Sequence, residues 1–479
     1  MKGLGGAVRR AGVLILALLN AGCVVGPNYS RPAVPLEKSW QKAGSASTLE
    51  PRDVRWWRKL QDPQLVRFIG MGISGNQNLK EAEARVREAR ALRGVAVGAL
   101  LPQANLGALF SRSHTSENAG LISQLPQKNL INFNQNLYQL GFDASWEIDI
   151  FGGNRRAVEA ASARAAAGID NCRDVMLTVI SEIARNYVEL RGAQKQLAVA
   201  EENSCIERRT LQLVKVKFDA KRASDLDVER ARAQFERTGA TIPPLKASVR
   251  ESAYRIAVLT GRPPDALLNE LLATAPIPNP PDIVPVGLPS DLLLRRPDLR
   301  RARDDLHAAT ADIGVATADL FPRFFLTGQA TPQAAKFSDL FRQSSLMWSF
   351  GPSIQWPVFH GGQIRSNIRA TEARRDEALA RYRQAVLSAM QDVETSLVRY
   401  GEHQVQRERL ARSFQAQKRA VDLANERYGQ GVSDLLTVLD AQRQLADIEN
   451  SLAVSRTQVM DNLISLYKAL GGGWEEPAP

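Results

Sequence analysis

Two periodicities divide the chain. In four stretches apolar and polar residues alternate with period two, and over most of the remainder apolar residues recur every three to four positions. The clearest alternation sets Tyr138, Leu140, Phe142, Ala144, Trp146 and Ile148 against Gln139, Gly141, Asp143, Ser145, Glu147 and Asp149. A second sets Leu346, Trp348, Phe350, Ile354 and Trp356 against Ser349, Gly351, Ser353 and Gln355. Weaker versions place Ala104, Leu106, Ala108 and Phe110 against Gln103, Asn105, Gly107 and Ser111, and Phe324, Leu326 and Ala330 against Arg323, Thr327 and Gln329. Strands are therefore predicted over about 102–113, 138–150, 322–331 and 346–357. Each is close to ten residues, the length a tilted strand needs to cross a bilayer. A soluble sheet with one dry face would alternate in the same way, but the aromatic content of the apolar face favours lipid.

The helical stretches carry coiled-coil seams. One runs through Ile169, Cys172, Met176, Val179, Ile183, Leu190, Leu197, Leu211 and Val214, interrupted by Asn186, Ser204 and Glu207, and continues through Val228, Ala231, Phe235, Val249 and Ile256. Another runs through Tyr382, Val386, Val393, Tyr400, Leu410, Val421 and Tyr428, then Val438, Ala441, Leu445, Leu452, Val459 and Leu466. Long helices are predicted over about 154–218, 225–261, 361–428 and 434–470, with Pro243 and Pro244 expected to kink or break the second. A helix of that first length spans roughly 100 Å, far more than one globular core needs.

An offset of roughly 210 residues superimposes the halves. Gly152-Gly153 falls on Gly361-Gly362, Phe218 on Tyr428, Leu226 on Leu436, Val228 on Val438 and Gly261 on Gly471. The chain divides into residues 1–22, a segment 23–75, a first repeat 76–262, a Pro-rich linker 263–296, a second repeat 297–471 and a tail 472–479. The glycine pairs fall at strand-to-helix junctions, where chain reversal or close packing requires them.

Composition narrows the class. The 479 residues are 44% hydrophobic and 24% charged with no long apolar block, which excludes a bundle of membrane-spanning helices. The net charge of +11 is interspersed with acids and is a solvated helical surface, with no nucleic-acid partner indicated. Residues 1–22 have the basic start, apolar run and small terminal residues of a secretory signal, directly before Cys23. That arrangement resembles the bacterial lipobox, with Asn20 where the pattern prefers Leu, and implies that Cys23 is acylated; Val24 after it implies sorting to the outer membrane. Cys172 and Cys205 lie too far apart on one helix to pair, and the four histidines are scattered, so neither a metal site nor a cofactor is expected. No catalytic constellation is visible.

Four strands cannot close a transmembrane barrel, yet lipid allows no open strand edge, so several chains must share one barrel; three would give twelve strands. The segments Cys23-Val24-Val25-Gly26-Pro27-Asn28-Tyr29, Trp56-Trp57 with Asp62-Pro63, Glu81-Ala82-Glu83-Ala84-Arg85-Val86, Thr437-Val438-Leu439-Asp440-Ala441-Gln442-Arg443 and Tyr467-Lys468-Ala469-Leu470-Gly471-Gly472-Gly473-Trp474 resemble the TolC-like outer-membrane factor family, in particular its OprM/NodT-type lipoproteins. The resemblance implies a mixed α and β membrane protein. Its outer-membrane β-barrel would be shared by a homotrimer, four strands per chain, and be continuous with a periplasmic α-helical coiled-coil barrel. It also implies a periplasmic adaptor and an inner-membrane pump, often of the resistance-nodulation-division type.

Such a protein is a passive exit channel of an efflux system. The resemblance places an apolar ring at Leu436 and an acidic ring at Asp440 at the periplasmic gate, where three leucines would dewet the passage and three carboxylates would favour cations. It also suggests a tip lock of Tyr428 and Asp227, although Ser433 occupies the position of that lock's arginine, which argues against an arginine-based lock. Two other readings are a type I protein-secretion channel, which would share the architecture, and a structural coiled-coil surface protein, which would not explain the strands.

Overall fold

A computed structural model describes residues 24–33, 40, 47–48, 55–116, 132–281, 284–285 and 289–474; the signal segment and Cys23 lie outside them. The chain forms two compact units. One comprises Arg87–Ala166 and Arg303–Ala380 with the N-terminal residues up to Pro32, and the other Ala33–Val86, Ala167–Ala302 and Arg381–Pro479.

The first unit is built on a four-stranded antiparallel sheet. Its strands are β1 (Gln103–His114), β2 (Asn134–Ile148), β3 (Arg323–Ala334) and β4 (Leu346–Gln355), in that spatial order. Each repeat supplies one hairpin, and the hairpins meet where β2 pairs with β3. β2 begins four residues before the alternation that announces it, because Asn134, Gln135, Asn136 and Leu137 pair with His114, Ser113, Arg112 and Ser111. The helical parts of this unit come from α2 (Gln77–Gly98), α3 (Gly153–Asp219), α5 (Pro297–Ala318) and α6 (Gln363–Gly429).

The second unit holds the main hydrophobic core, drawn from α1 (Pro63–Gly75), α3, α4 (Asp225–Leu259), α6 and α7 (Leu435–Ala469). Asp62 caps α1 by accepting from the amides of Gln64 and Leu65 at 2.9 and 3.0 Å, and Pro63 occupies the first helical turn, where its missing N–H costs nothing. The helix buries Leu65, Phe68, Ile69 and Gly72. Trp56 is fully buried and stacks on Tyr467, ring centroids 4.9 Å apart. Near the C-terminus the Trp474 ring lies under the guanidinium groups of Arg173 and Arg300, which share the buried carboxylate of Asp170.

A cation is buried outright in this unit. Arg191 is 1% exposed; it donates to the Ala273 carbonyl and to Gln194 Oε1, both at 2.7 Å, and stacks on the Tyr187 ring. Tyr187 in turn donates to the capping Asp62 at 2.7 Å, and burial, reinforced by that carboxylate, pushes its phenol up to about 12.

The long helices persist because no proline falls within α3 or α6. In α4 the expectation of a break fails: the helix runs through Pro243 and Pro244. Both prolines face solvent, and the carbonyls they deprive of N–H partners belong to Gly239 and Ala240 on a surface where water can reach them.

Asp461 on α7 is a half-buried carboxylate of this unit. Burial and the nearby Glu189 push it up to about 7 against the partial relief of Arg185, and its Oδ1 has no hydrogen-bond partner. A carboxyl whose folded value is raised above 3.8 destabilises the fold progressively as pH rises from that value through about 7, and fully above it. Asp461→Asn is expected to raise the thermal midpoint at pH 8, with a gain of roughly 2 kcal/mol once partial relaxation is allowed for. The gain should shrink as pH falls toward 4, and a difference independent of pH, read by circular dichroism in detergent, would contradict it.

Candidate functional site

The register separates the sheet's faces cleanly. Leu106, Phe142 and Ala330 lie on one face with Ala108, Leu140, Trp146, Leu326, Phe350 and Ile354. The other carries Asn105, Asp143, Ser145, Thr327, Gln329, Ser349 and Gln355. Among the described residues nothing covers the apolar face: Trp348 is 72% exposed and Phe350 71%. A soluble sheet would bury that face. The β1 and β4 edges are unpaired among the described residues.

Aromatic residues mark both ends of the apolar band. At the helix end Trp146 donates its indole N–H to the Leu100 carbonyl at 2.9 Å, and Trp356 does the same to Leu320 at 3.1 Å, one bond in each repeat. At the loop end Phe110, Tyr138, Phe337 and Phe341 form a chain of ring contacts. Eight residues separate Tyr138 from Trp146, roughly 26 Å along the strand; at a tilt of about 40° this projects to roughly 20 Å along the bilayer normal, a little short of the ~25 Å apolar band of an outer-membrane barrel.

The segment that follows Cys23 is seated in this unit. The Val25 amide donates to the Phe151 carbonyl at 3.1 Å. Arg156, 3% exposed, donates to the carbonyls of Val25 and Gly26 and to Asn28 Oδ1 at 3.2, 3.3 and 2.6 Å. Tyr29 stacks on His307 at 4.4 Å, and His307 Nε2 lies 2.8 Å from Glu159 Oε1. Burial opposes ionisation of Glu159, but hydrogen bonds from His307 and Arg156 outweigh it and hold the carboxyl below its usual range. The glycine pairs are unequal. A Cβ on Gly152, whose φ is also positive at 79°, would lie 3.0 Å from Val24 Cα and one on Gly153 2.9 Å from Ala318 Cβ, whereas Gly361 and Gly362 have nothing among the described residues within 4 Å and are needed for their positive φ of 55° and 84°.

Both hairpin tips lie in the second unit. α3 closes at Lys221 and α6 at Gly431, both with left-handed backbones, and the amides of Arg222 and Val432 return to Lys217 and Arg427. Each following helix is capped by a carboxylate and a hydroxyl, but the two exchange places. Ser224 caps α4 and receives the Asp227 amide, while Asp227 Oδ2 accepts from the Ser224 amide and hydroxyl. Asp434 caps α7 and accepts from the amide and hydroxyl of Thr437. These hydrogen bonds hold both carboxyls below the usual range.

The residues expected at the gate and the lock, Leu436, Asp440, Tyr428 and Asp227, all lie at or beside these turns. Leu435 and Leu439 pack with Leu211, Val214, Val228 and Ala231, so the adjacent stripe with Leu436 and Asp440 points away from that cluster. Leu436 is 50% exposed. Asp440 is ion-paired with Arg443 and accepts from Gln444 at 2.7 Å, so its charge is offset within its own chain. Tyr428 packs against the cluster with Lys217 Nζ 3.8 Å from its ring centroid. Asp227 is engaged with Ser224, and the buried Ser433 hydroxyl has no partner among the described residues. Arg443 was readable three residues beyond Asp440; Arg156 and His307 were not, since their partners lie more than a hundred residues away.

A family model described as outer membrane efflux protein matches residues 69–262 and 288–472. Nodulation protein T of Rhizobium leguminosarum bv. trifolii is 34% identical over 469 residues, covering 96% of this chain and 97% of that protein. Outer membrane protein OprJ of Pseudomonas aeruginosa is 30% identical over 482 residues, covering 97% and 95%. The structure of the outer-membrane channel OprN superposes with a TM-score of 0.88 at 34% identity, covering 94% of this chain and 100% of the other. The lipid-compatible sheet and the match across both repeats lead to one conclusion: the chain belongs to the outer membrane efflux protein family, as one protomer of a trimeric outer-membrane channel that extends into the periplasm and conducts rather than catalyses.

Proposed function

We propose that this channel works with a periplasmic adaptor and an inner-membrane pump of the resistance-nodulation-division type, as the passive duct through which the pump's substrates leave. The observation that supports the duct is the sheet itself, one face apolar and bare, the other polar, with two edges that no other described strand pairs; support for the partners comes from the relatives, such as the toluene efflux pump outer membrane protein of Pseudomonas putida. Crosslinking in cells followed by purification is expected to recover the trimer with such a pump. Recovery of a protein-secretion ATPase in its place would overturn the pump assignment.

Cys23 carries the lipid in this reading. Support comes from the bonds that hold Val25, Gly26 and Asn28 on Arg156, close after the acylation position. Cys23→Ser should abolish metabolic fatty-acid labelling while the protein stays in the outer membrane, since the strands bury far more apolar surface than acyl chains do. Labelling of the mutant would refute the anchor.

The α7 tip forms the gate, with Leu436 and Asp440 facing the axis and Tyr428 with Asp227 steadying the neighbouring turns. Leu436→Ala should raise single-channel conductance in a planar bilayer by removing an apolar plug. Asp440→Ala should lower cation preference, because it strips Arg443 of its counter-charge. Adding Arg443→Ala to it should return selectivity close to wild type. Unchanged conductance and selectivity in both single variants would place the gate elsewhere.

A further inference from the structure

The pairing register lays one polar row straight across the sheet. Asn105 faces Asp143, Asp143 faces Gln329, and Gln329 faces Ser349. Asn105 Nδ2 donates to Asp143 Oδ2 at 3.0 Å and so fixes the carboxylate's rotamer. Toward the loops the next row begins with Gly107 and Gly141, which place no side chain in front of it.

Among the described residues the strands' polar face carries two other charges, Glu147 and Arg323. Arg323 is ion-paired with Asp319. Glu147 is paired with Phe325 across the strands, two residues along from Arg323, so acid and base balance at the helix end of this face. Among the described residues no cation is paired with Asp143.

We propose that Asp143 sets the charge preference of the barrel lumen. The inference rests on the closure of the barrel by three copies. Whatever the tilt of the strands, threefold symmetry brings three Asp143 carboxylates to one height, on the wall that faces water, with a low-dielectric shell of protein and lipid behind them. Such a wall focuses the field into the aqueous path, so cations concentrate there and anions are excluded. The Debye length is about 3 Å at 1 M and roughly 30 Å at 0.01 M, so the carboxylates' field stays at the wall in concentrated salt and reaches into the lumen in dilute salt. The preference is therefore a low-salt property. It is also separate from the tip, where Arg443 offsets Asp440.

The test is the reversal potential of single channels under a KCl gradient, measured in the Leu436→Ala background so that the tip does not dominate. Asp143→Asn keeps the shape and the bond to Asn105. At about 0.05 M salt it should lower the cation-to-anion permeability ratio roughly two- to threefold, with no change at 1 M. Gln329→Lys sets an ammonium directly opposite Asp143 and should lower the ratio at least as much; Asn105→Asp doubles the carboxylates in the row and should raise it. If Asp143→Asn fails to insert, the other two variants decide. Conducting channels with an unchanged ratio at low salt overturn the role of Asp143, whereas no channel from the wild-type protein would count against the conduit itself.

Discussion

A strand edge in hydrocarbon leaves a row of N–H and C=O groups with nothing to bond, at a cost of several kcal/mol for each group. That constraint governs the rest of this protein. Four strands give each chain two such edges, β1 and β4, and nothing among the described residues pairs them. Assembly is therefore part of folding in the membrane and not a later association of finished subunits. The same constraint explains why each repeat contributes a complete hairpin, since a lone strand would double the edges to be joined.

Much of this was legible because it rests on local periodicity. Residues 138–148 display their two faces in sequence, and the register adds only which neighbours they meet. Coiled-coil seams are equally local; Val179, Ile183, Val386, Val393 and Val459 are all buried where the repeat places them. What stayed hidden depends on contacts between distant segments. The motif around Gly26 and Tyr29 is visible as a string, but its partners Arg156, Gly314 and His307 lie more than a hundred residues away. Nor does the alternation say that Trp146 and Trp356 spend their indole N–H groups on the helix ends before each hairpin. The diproline misled because propensity assigns its full cost without knowing that both rings face water.

The two repeats have also been divided by use. In the first, the glycine pair is packed under Val24 and Ala318; in the second, the equivalent pair meets nothing of its own chain. One copy has taken on the N-terminal segment, with its buried Arg156 and stacked Tyr29, and the other keeps its junction bare. Equivalent junctions thus serve different neighbours, as expected when a duplicated unit must face both its twin and another subunit.

The exchanged caps at the hairpin tips restrict how the halves could have drifted apart. If both descend from one ancestral turn, at least two substitutions separate Ser224 and Asp227 from Asp434 and Thr437. Changing either position first produces a turn with two hydroxyls, which lacks the ionised acceptor, or with two carboxylates, which repel each other. Either intermediate keeps an N-cap residue and loses only the reciprocal bond, a part of the ~1 kcal/mol that a full cap contributes. The return of each long hairpin is thus set by the pairing of one hydroxyl with one carboxylate, and not by which of the two positions holds which.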